Sequence, residues 1–126
     1  MRTITVYMSD GDTITTSING TDQEIIRHYL GNRFEAGSDT DHHFALLVHF
    51  HDNDKRYGLR VKNIESGAVG CIADVREETT KIDDTTSCDD IMLTTRSGSV
   101  YDIKDVWVYD LDGFWIEGVG FKHPTA

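Results

Sequence analysis

The chain has 126 residues, a length typical of one domain, and 38% of them are apolar, which is enough for a hydrophobic core. It contains no apolar run of the ~20 residues that a membrane span needs, and its composition is too apolar for a disordered chain. Its 22 acids against 12 Lys and Arg give a net charge of −10, which disfavours direct binding of nucleic acids because phosphates are repelled.

The first residues predict a β-hairpin. Residues 3–8 alternate between apolar and polar, residues 9–12 carry Asp and Gly for a turn, and residues 13–18 form the return strand. This alternation differs from the continuous apolar stretch of a signal peptide. Cys71 and Cys88 lack a CxxC spacing, so we expect reduced thiols and a location in the cytosol.

A short helix is predicted over about residues 22–30. Thr21 and Glu24 have the spacing of a capping box, and Gly31 offers a C-terminal stop. The apolar residues recur at helical spacing on one side, at Ile25, Ile26, Tyr29 and Leu30. A helix this short needs packing on a sheet to be stable.

A histidine-rich strand follows a polar link over residues 35–41. Residues 44–51 are apolar on both faces, which predicts a central strand. His49 and His51 share one face near several aspartates, and with His43 they are candidate ligands for a metal such as zinc. Ordinary surface histidines are the alternative interpretation. No cofactor is expected.

The next strand, residues 56–62, is predicted to have a solvated face that is basic. That face carries Arg56, Arg60 and Lys62. A further strand is predicted after residues 66–67, with four side chains pointing inward: Val69, Cys71, Ala73 and Val75.

Residues 77–90 have almost no apolar content, so they are expected to form a mobile, solvated loop. The acids of this segment that are candidates for binding a partner are Asp83, Asp84, Asp89 and Asp90.

The last third is predicted to be a meander. It consists of a strand over residues 91–95, a turn over 96–99, and a long strand over 100–109 with a bulge near Lys104. A turn at residues 110–113 would then place Tyr109 opposite Phe114, Trp107 opposite Ile116 and Val108 opposite Trp115.

Large rings are concentrated in this last hairpin. They either fill the core and the sheet edges or form a recognition face, for which Tyr and Trp are the usual anchors. The candidates are Tyr101, Trp107, Tyr109, Phe114 and Trp115.

Together these elements predict an α+β fold, mainly an antiparallel sheet of about 7–8 strands with one short helix. We expect a single domain over residues 1–126. Two strand-rich parts, residues 1–63 and 67–121, are possible sub-units of it.

Residues 11–21, with residues 24–26, 28–32, Phe34 and 37–38, resemble a pattern in small uncharacterised proteins of phages and prophages of Gram-positive bacteria. In those proteins a strand ending in "NGT" precedes a helix with "EEI…YYL" and then "F…GS". The resemblance covers residues 2 to about 51. It implies a fold signature only, and it brings no established activity and no catalytic residue.

These features favour a binding protein over an enzyme. The leading hypothesis is a small acidic accessory protein of a phage that binds and inhibits a host protein, with a basic defence or nucleic-acid-handling protein as the candidate partner. One alternative is an oligomeric binder of a nucleotide signal, with Arg56, Arg60 and Lys62 meeting phosphates and Trp107 or Trp115 stacking on a base. Others are a virion component and a metal-dependent enzyme built on His43, His49 and His51. Homo-oligomers are expected, because the second apolar face of the C-terminal hairpin needs cover.

Overall fold

The computed structural model describes residues 1–35 and 42–120. Within these ranges the chain forms eleven strands and one α-helix, and all paired strands are antiparallel. The predicted α+β class is therefore confirmed. The strands outnumber the predicted 7–8 because several predicted strands are interrupted. Most of the predicted link at residues 35–41 and the end of the last strand at Phe121 lie outside the described residues.

The first sheet contains the helix-bearing part of the chain. Its elements are β1 (Arg2–Met8), β2 (Thr13–Ile18), α1 (Asp22–Tyr29), β3 (Arg33–Glu35), β4 (His42–Phe50) and β5 (Lys55–Gly58). The strand order is β2-β1-β4-β3, and β5 also pairs with β4. The predicted central strand is confirmed, since β4 has partners on both sides.

The second sheet contains the rest of the chain. Its strands are β6 (Arg60–Asn63), β7 (Val69–Lys81), β8 (Ser87–Thr95), β9 (Val100–Asp102), β10 (Val106–Tyr109) and β11 (Trp115–Gly120). They lie in the order β11-β10-β6-β7-β8-β9. Buried side chains of both sheets and of α1 form one hydrophobic cluster.

Helix α1 begins as the sequence predicts. The Thr21 hydroxyl accepts a hydrogen bond from the Glu24 amide at 3.2 Å, and the Glu24 carboxylate accepts one from the Thr21 amide at 3.1 Å. The helix is followed by Gly31, whose φ of 78° lies in the left-handed region. Ile25 and Ile26 are buried against the sheet, which holds a helix of only eight residues in place.

The predicted strand 56–62 is divided between the two sheets. At the corner, a Cβ on Gly58 would lie 1.9 Å from the carbonyl oxygen of Ile72, so only glycine allows this approach. Leu59 bridges the sheets, because its amide donates to the Leu46 carbonyl at 3.0 Å and its carbonyl accepts from the Ile72 amide at 2.9 Å.

The predicted inward face of β7 is wrong over its first half. Ile72 is fully buried, Val69 is 61% exposed, and Cys71 and Ala73 are only partly covered. The register shifts between Ile72 and Asp74, and this irregularity brings Val75 inward as predicted. Strict alternation along the sequence fails at such a shift.

The expected mobile loop over residues 77–90 is instead the far half of the β7–β8 hairpin. Glu78 pairs with Asp90 and Thr79 with Asp89, and the strands are closed by a turn over residues 82–86. Thr residues favour extended backbone, and the strand is polar on both faces because it extends past the core. Low apolar content was therefore a poor indicator of missing structure. We name residues 77–90 the acidic hairpin.

The predicted long strand 100–109 is broken where a bulge was expected, by a 3-10 turn at Ile103–Asp105. This turn carries the chain across the sheet, so β9 pairs with β8 and β10 pairs with β6. In the β10–β11 hairpin the predicted pairs are wrong. Tyr109 lies opposite Trp115, and Trp107 lies opposite Gly120, with a register shift between them.

Candidate functional site

One face of the second sheet brings together basic and aromatic side chains from distant parts of the sequence. Trp107 lies opposite Lys62 and Tyr109 opposite Arg60, while on the other side of β6 Arg60 lies opposite Cys71. Residues directly opposite each other in antiparallel strands point to the same face. We name this surface the basic-aromatic face, and it consists of Arg60, Lys62, Val69, Cys71, Trp107, Tyr109 and Trp115.

The alternation of the strands explains why these side chains face outward. Val61 lies between Arg60 and Lys62, and Val106 and Val108 flank Trp107; all three valines are fully buried in the core. Since side chains alternate across a sheet, burial of the valines directs Arg60, Lys62, Trp107 and Tyr109 to the opposite side.

A groove of about 550 Å³ crosses this face. Its walls come from the corner at Gly58–Leu59, from Arg60 and Lys62, from Val69 and Cys71, and from Tyr109 with the turn at residues 110–113. The turn is well defined, because one carboxylate oxygen of Asp110 accepts hydrogen bonds from the amides of Asp112 and Phe114, both at 2.9 Å. The groove therefore has ordered walls and both charged and apolar lining.

The two cations of the groove make no ion pair within residues 1–35 and 42–120. Five other cations of the described residues are paired with carboxylates: Arg2, Arg27, Arg56, Arg76 and Lys104. Arg60 is exposed, and the Lys62 ammonium lies 5.8 Å from the centre of the Trp107 ring. The groove lining thus holds two positive charges and the Tyr109 ring on the strands, and the carboxylates of Asp110 and Asp112 on the turn.

Trp115 adds a polar group to the same face. Its indole N–H is buried and has no acceptor among the described atoms. An indole nitrogen only donates, and a buried donor without a partner costs about 1–3 kcal/mol. Trp115 lies opposite Tyr109, so an acceptor that reached this N–H would also lie near the groove.

The other ring candidates lie elsewhere. Tyr101 lies opposite Leu93 and packs against the core, and Phe114 is 71% exposed in the turn beside the groove. Arg56 also lies outside the groove lining, and its guanidinium is 3.4 Å from the Asp74 carboxylate. The predicted aromatic set is therefore only partly brought together.

The acidic candidates are not next to the rings. The acidic hairpin extends from the part of β7 that leaves the core, and β6 separates β7 from β10. Asp83 stabilises its turn, accepting hydrogen bonds from the Thr85 amide, the Thr85 hydroxyl and the Thr86 amide at 2.8–3.0 Å. These bonds, the Thr85 amide first, hold the pKa of Asp83 below its usual range.

Two further acids of the hairpin are held by neighbours. Asp89 accepts a hydrogen bond from the Thr79 hydroxyl at 2.8 Å, and Asp90 pairs with Lys104 at 3.0 Å. Asp84 is exposed at the tip. The hairpin therefore presents ordered carboxylates on a two-stranded ribbon.

The histidines lie on the first sheet. His49 is hydrogen-bonded to Asp54 and His51 to Thr5, each at 2.7 Å, and the two rings are 5.1 Å apart. The hydrogen bond from His49 lowers the pKa of Asp54. Within the described part of the chain, no group of three or more His, Cys, Asp or Glu residues is arranged to hold a metal ion. The side chain of His43 lies outside the description.

Sequence reasoning missed Val69 and Cys71 as groove residues, because it placed both in the core. The signal that was available is Ile72, whose burial requires its neighbour Cys71 to face outward.

Comparison of the chain with protein-family models, curated proteins and solved structures found no match. No helix in the described ranges has the length and apolar character needed to cross a bilayer.

Proposed function

We propose that the chain is a binding protein whose basic-aromatic groove takes an anionic ligand with a planar ring, of the nucleotide class. The observation that carries this proposal is that Arg60 and Lys62, which pair with no carboxylate in the described part of the chain, share a face with the half-buried rings of Trp107 and Tyr109. The two acids that line the same groove have other partners, since Asp110 accepts from backbone amides and Asp112 pairs with Arg27, so both cations are available to an external anion.

The dimensions and chemistry of the groove support this ligand class. Its volume of about 550 Å³ lies within the range of small-molecule sites. Stacking of a base on an aromatic side chain contributes about 1–3 kcal/mol, and Tyr109 and Trp107 lie on the same face as the cations. The phosphates would lie against Arg60 and Lys62, with the ring against Tyr109.

A thermal-shift screen against a panel of nucleotides tests the proposal, since a ligand that binds only the folded state raises Tm. We expect at least one nucleotide to raise the Tm of the wild type, and the double variant Arg60→Gln/Lys62→Gln to lose that shift. Lys55→Gln/Lys81→Gln is the matched control, because it removes the same charge at exposed positions outside the groove. No shift with any nucleotide, or equal loss in the control, overturns the proposal.

A second candidate is the binding and inhibition of a basic host protein through the acidic hairpin. It is favoured by the hairpin being an ordered ribbon whose carboxylates lie outside the core, where they are open to a partner. This candidate includes the phage origin that the N-terminal pattern suggests and a location in the cytoplasm of a bacterial host.

Pull-down from bacterial lysate tests this candidate. Capture of a basic protein should weaken as salt rises, and it should be lost in Asp83→Asn/Asp84→Asn while Arg60→Gln/Lys62→Gln retains it. Capture that is independent of salt, or unaffected by the hairpin variant, contradicts it.

A further inference from the structure

The basic-aromatic groove has a complement on the same chain. At the tip of the acidic hairpin, Ile82 is 66% exposed and is followed by the exposed acids Asp83 and Asp84. The tip is ordered, because the amides of Ile82 and Asp83 both donate to the Thr86 carbonyl, at 2.9 and 3.2 Å. It therefore presents one apolar side chain beside two negative charges.

The groove presents the opposite arrangement. Val69 is 61% exposed and lies directly opposite Lys62, and Cys71 lies opposite Arg60. An apolar side chain that lay on this face over β6 and β7 would contact Val69, and its acidic neighbours would meet Arg60 and Lys62, which pair with no carboxylate within residues 1–35 and 42–120. The tip would lie over the β6–β7 side of the groove, so that its carboxylates meet Arg60 and Lys62 and not Asp110 and Asp112 of the turn, and apolar surface is covered in the same contact.

The hairpin cannot reach the groove of its own chain. Val69 at the groove and Lys81 near the tip are the two ends of β7, which runs over Val69–Lys81. At about 3.3 Å per residue, the strand separates these ends by roughly 40 Å. An extended strand paired along its length does not fold back on itself.

We propose that the tip of the acidic hairpin, residues 82–84, seats in the basic-aromatic groove of a second copy of this chain. This inference goes beyond the proposed function and does not rest on it, although a nucleotide and the hairpin tip would compete for the groove. If the contact is reciprocal it closes a dimer, and if it is one-way it builds a longer chain of copies.

The overall charge of −10 on each copy opposes association, but only at long range. At physiological ionic strength the Debye length is about 8 Å, so repulsion between remote charges is screened while the contacting charges still attract. Association should therefore be measured at about 0.15 M salt, where the Debye length is about 8 Å.

Sedimentation velocity across a concentration series tests the proposal by charge reversal. The wild type should form dimers or larger species. Arg60→Glu/Lys62→Glu should be monomeric, because groove cations and tip acids are then all negative. Asp84→Lys should associate more weakly, because the tip then has no net charge, while Asp83 is kept because it holds the turn. An equimolar mixture of the two variants should associate more strongly than either alone, since the unchanged tip of one variant then meets the unchanged groove of the other. A monomeric wild type, or a mixture that stays monomeric while the wild type associates, overturns the proposal.

Two further variants separate this result from other causes. Lys55→Glu changes an exposed cation outside the groove and should leave association unchanged. Ile82→Ser should weaken association and should retain or enlarge any nucleotide-induced Tm shift, because it leaves the groove intact and removes a competitor for it. In Ile82→Ser, loss of association with the nucleotide-induced Tm shift retained supports the self-contact. In the wild type, association without any nucleotide-induced shift contradicts only the proposed function, and a nucleotide-induced shift without association contradicts only the self-contact. Association that Lys55→Glu disrupts as strongly as the groove variant counts against the tip–groove contact.

Discussion

The basic-aromatic face and the acidic hairpin belong to one six-stranded sheet, and β7 contributes to both. Near its start β7 pairs with β6 and β8, and Ile72 is fully buried. Beyond Val75 it has β8 as its partner, and every residue of β7 from Arg76 onward is exposed. The same strand thus passes from a packed sheet to a two-stranded ribbon.

This difference has consequences for stability. The face is underlain by fully buried valines, so its side chains are held by the core beneath them. The hairpin depends on cross-strand hydrogen bonds and on its turn, and a two-stranded ribbon alone is marginally stable. We therefore expect the groove to be a rigid receptor and the hairpin to be the first part of the sheet to open locally.

The largest effect is expected at Gly58, which joins the two sheets. In Gly58→Ala the new Cβ would collide with the backbone of Ile72, so both the face and the base of the hairpin must shift. We expect a loss of about 3 kcal/mol or more in the free energy of unfolding. Urea unfolding followed by fluorescence measures it.

Gly98→Ala is the control for Gly58→Ala. Gly98 has a φ of 91° but nothing within 4 Å of a new Cβ, so it should cost only about 1 kcal/mol from backbone strain. If Gly58→Ala costs no more than Gly98→Ala, the close approach of the two sheets at this corner is wrong.

A smaller effect distinguishes the two regions directly. Val108→Ala removes two methyl groups from beneath the basic-aromatic face and should cost about 2 kcal/mol. Thr80→Ala, at an exposed position of the acidic hairpin, should change stability by less than about 0.5 kcal/mol. Equal losses in the two variants would show that the hairpin is as strongly coupled to the core as the face.

The parts of the fold that could be predicted from the sequence depend on local signals. The first hairpin, the capping box at Thr21 and the two-sided apolar strand at residues 44–51 each follow from residues close together in the chain. The acidic hairpin could not be predicted because both its faces are polar, which removes the alternation of apolar and polar residues that indicates a strand. The corner at Gly58 could not be predicted because it depends on the close approach of the backbone of a distant strand.

The candidate site could be predicted only in parts. Arg60 and Lys62 were grouped as a basic strand face and Trp107 and Tyr109 as aromatic residues, from two separate local patterns. Their association depends on the pairing of β6 with β10, which the 3-10 turn after β9 makes possible. No local pattern encodes that pairing. The shift of register in β7 also made the sequence predict, wrongly, that Val69 points into the core.

A local effect is expected at the tip of the acidic hairpin. Asp83→Ala removes the acceptor of three hydrogen bonds in the turn, so the amides of residues 78–81 should exchange with solvent several-fold faster. The amides of residues 106–108 should be unaffected. Hydrogen exchange followed by NMR measures both, and Asp84→Ala is the control because Asp84 is exposed at the same tip. A rise in exchange at β10 would contradict the independence of the two regions.

The smallest effect is a pH dependence confined to the hairpin. Hydrogen bonds from Thr85 and Thr86 lower the pKa of Asp83 in the folded state, so the carboxylate contributes stability that is complete above the unfolded value of about 3.9. This contribution is lost as the pH falls through the lower folded pKa. Carbon-13 NMR of the carboxyl group should show Asp83 titrating below about 3.9, and exchange at residues 78–81 should rise over the same range.

In Asp83→Asn the amide oxygen can still accept the turn hydrogen bonds but does not titrate, so this acid-induced opening should disappear. An Asp83 that titrates at its ordinary pKa would mean that the turn bonds do not favour the charged form, and the hairpin tip would then open independently of pH.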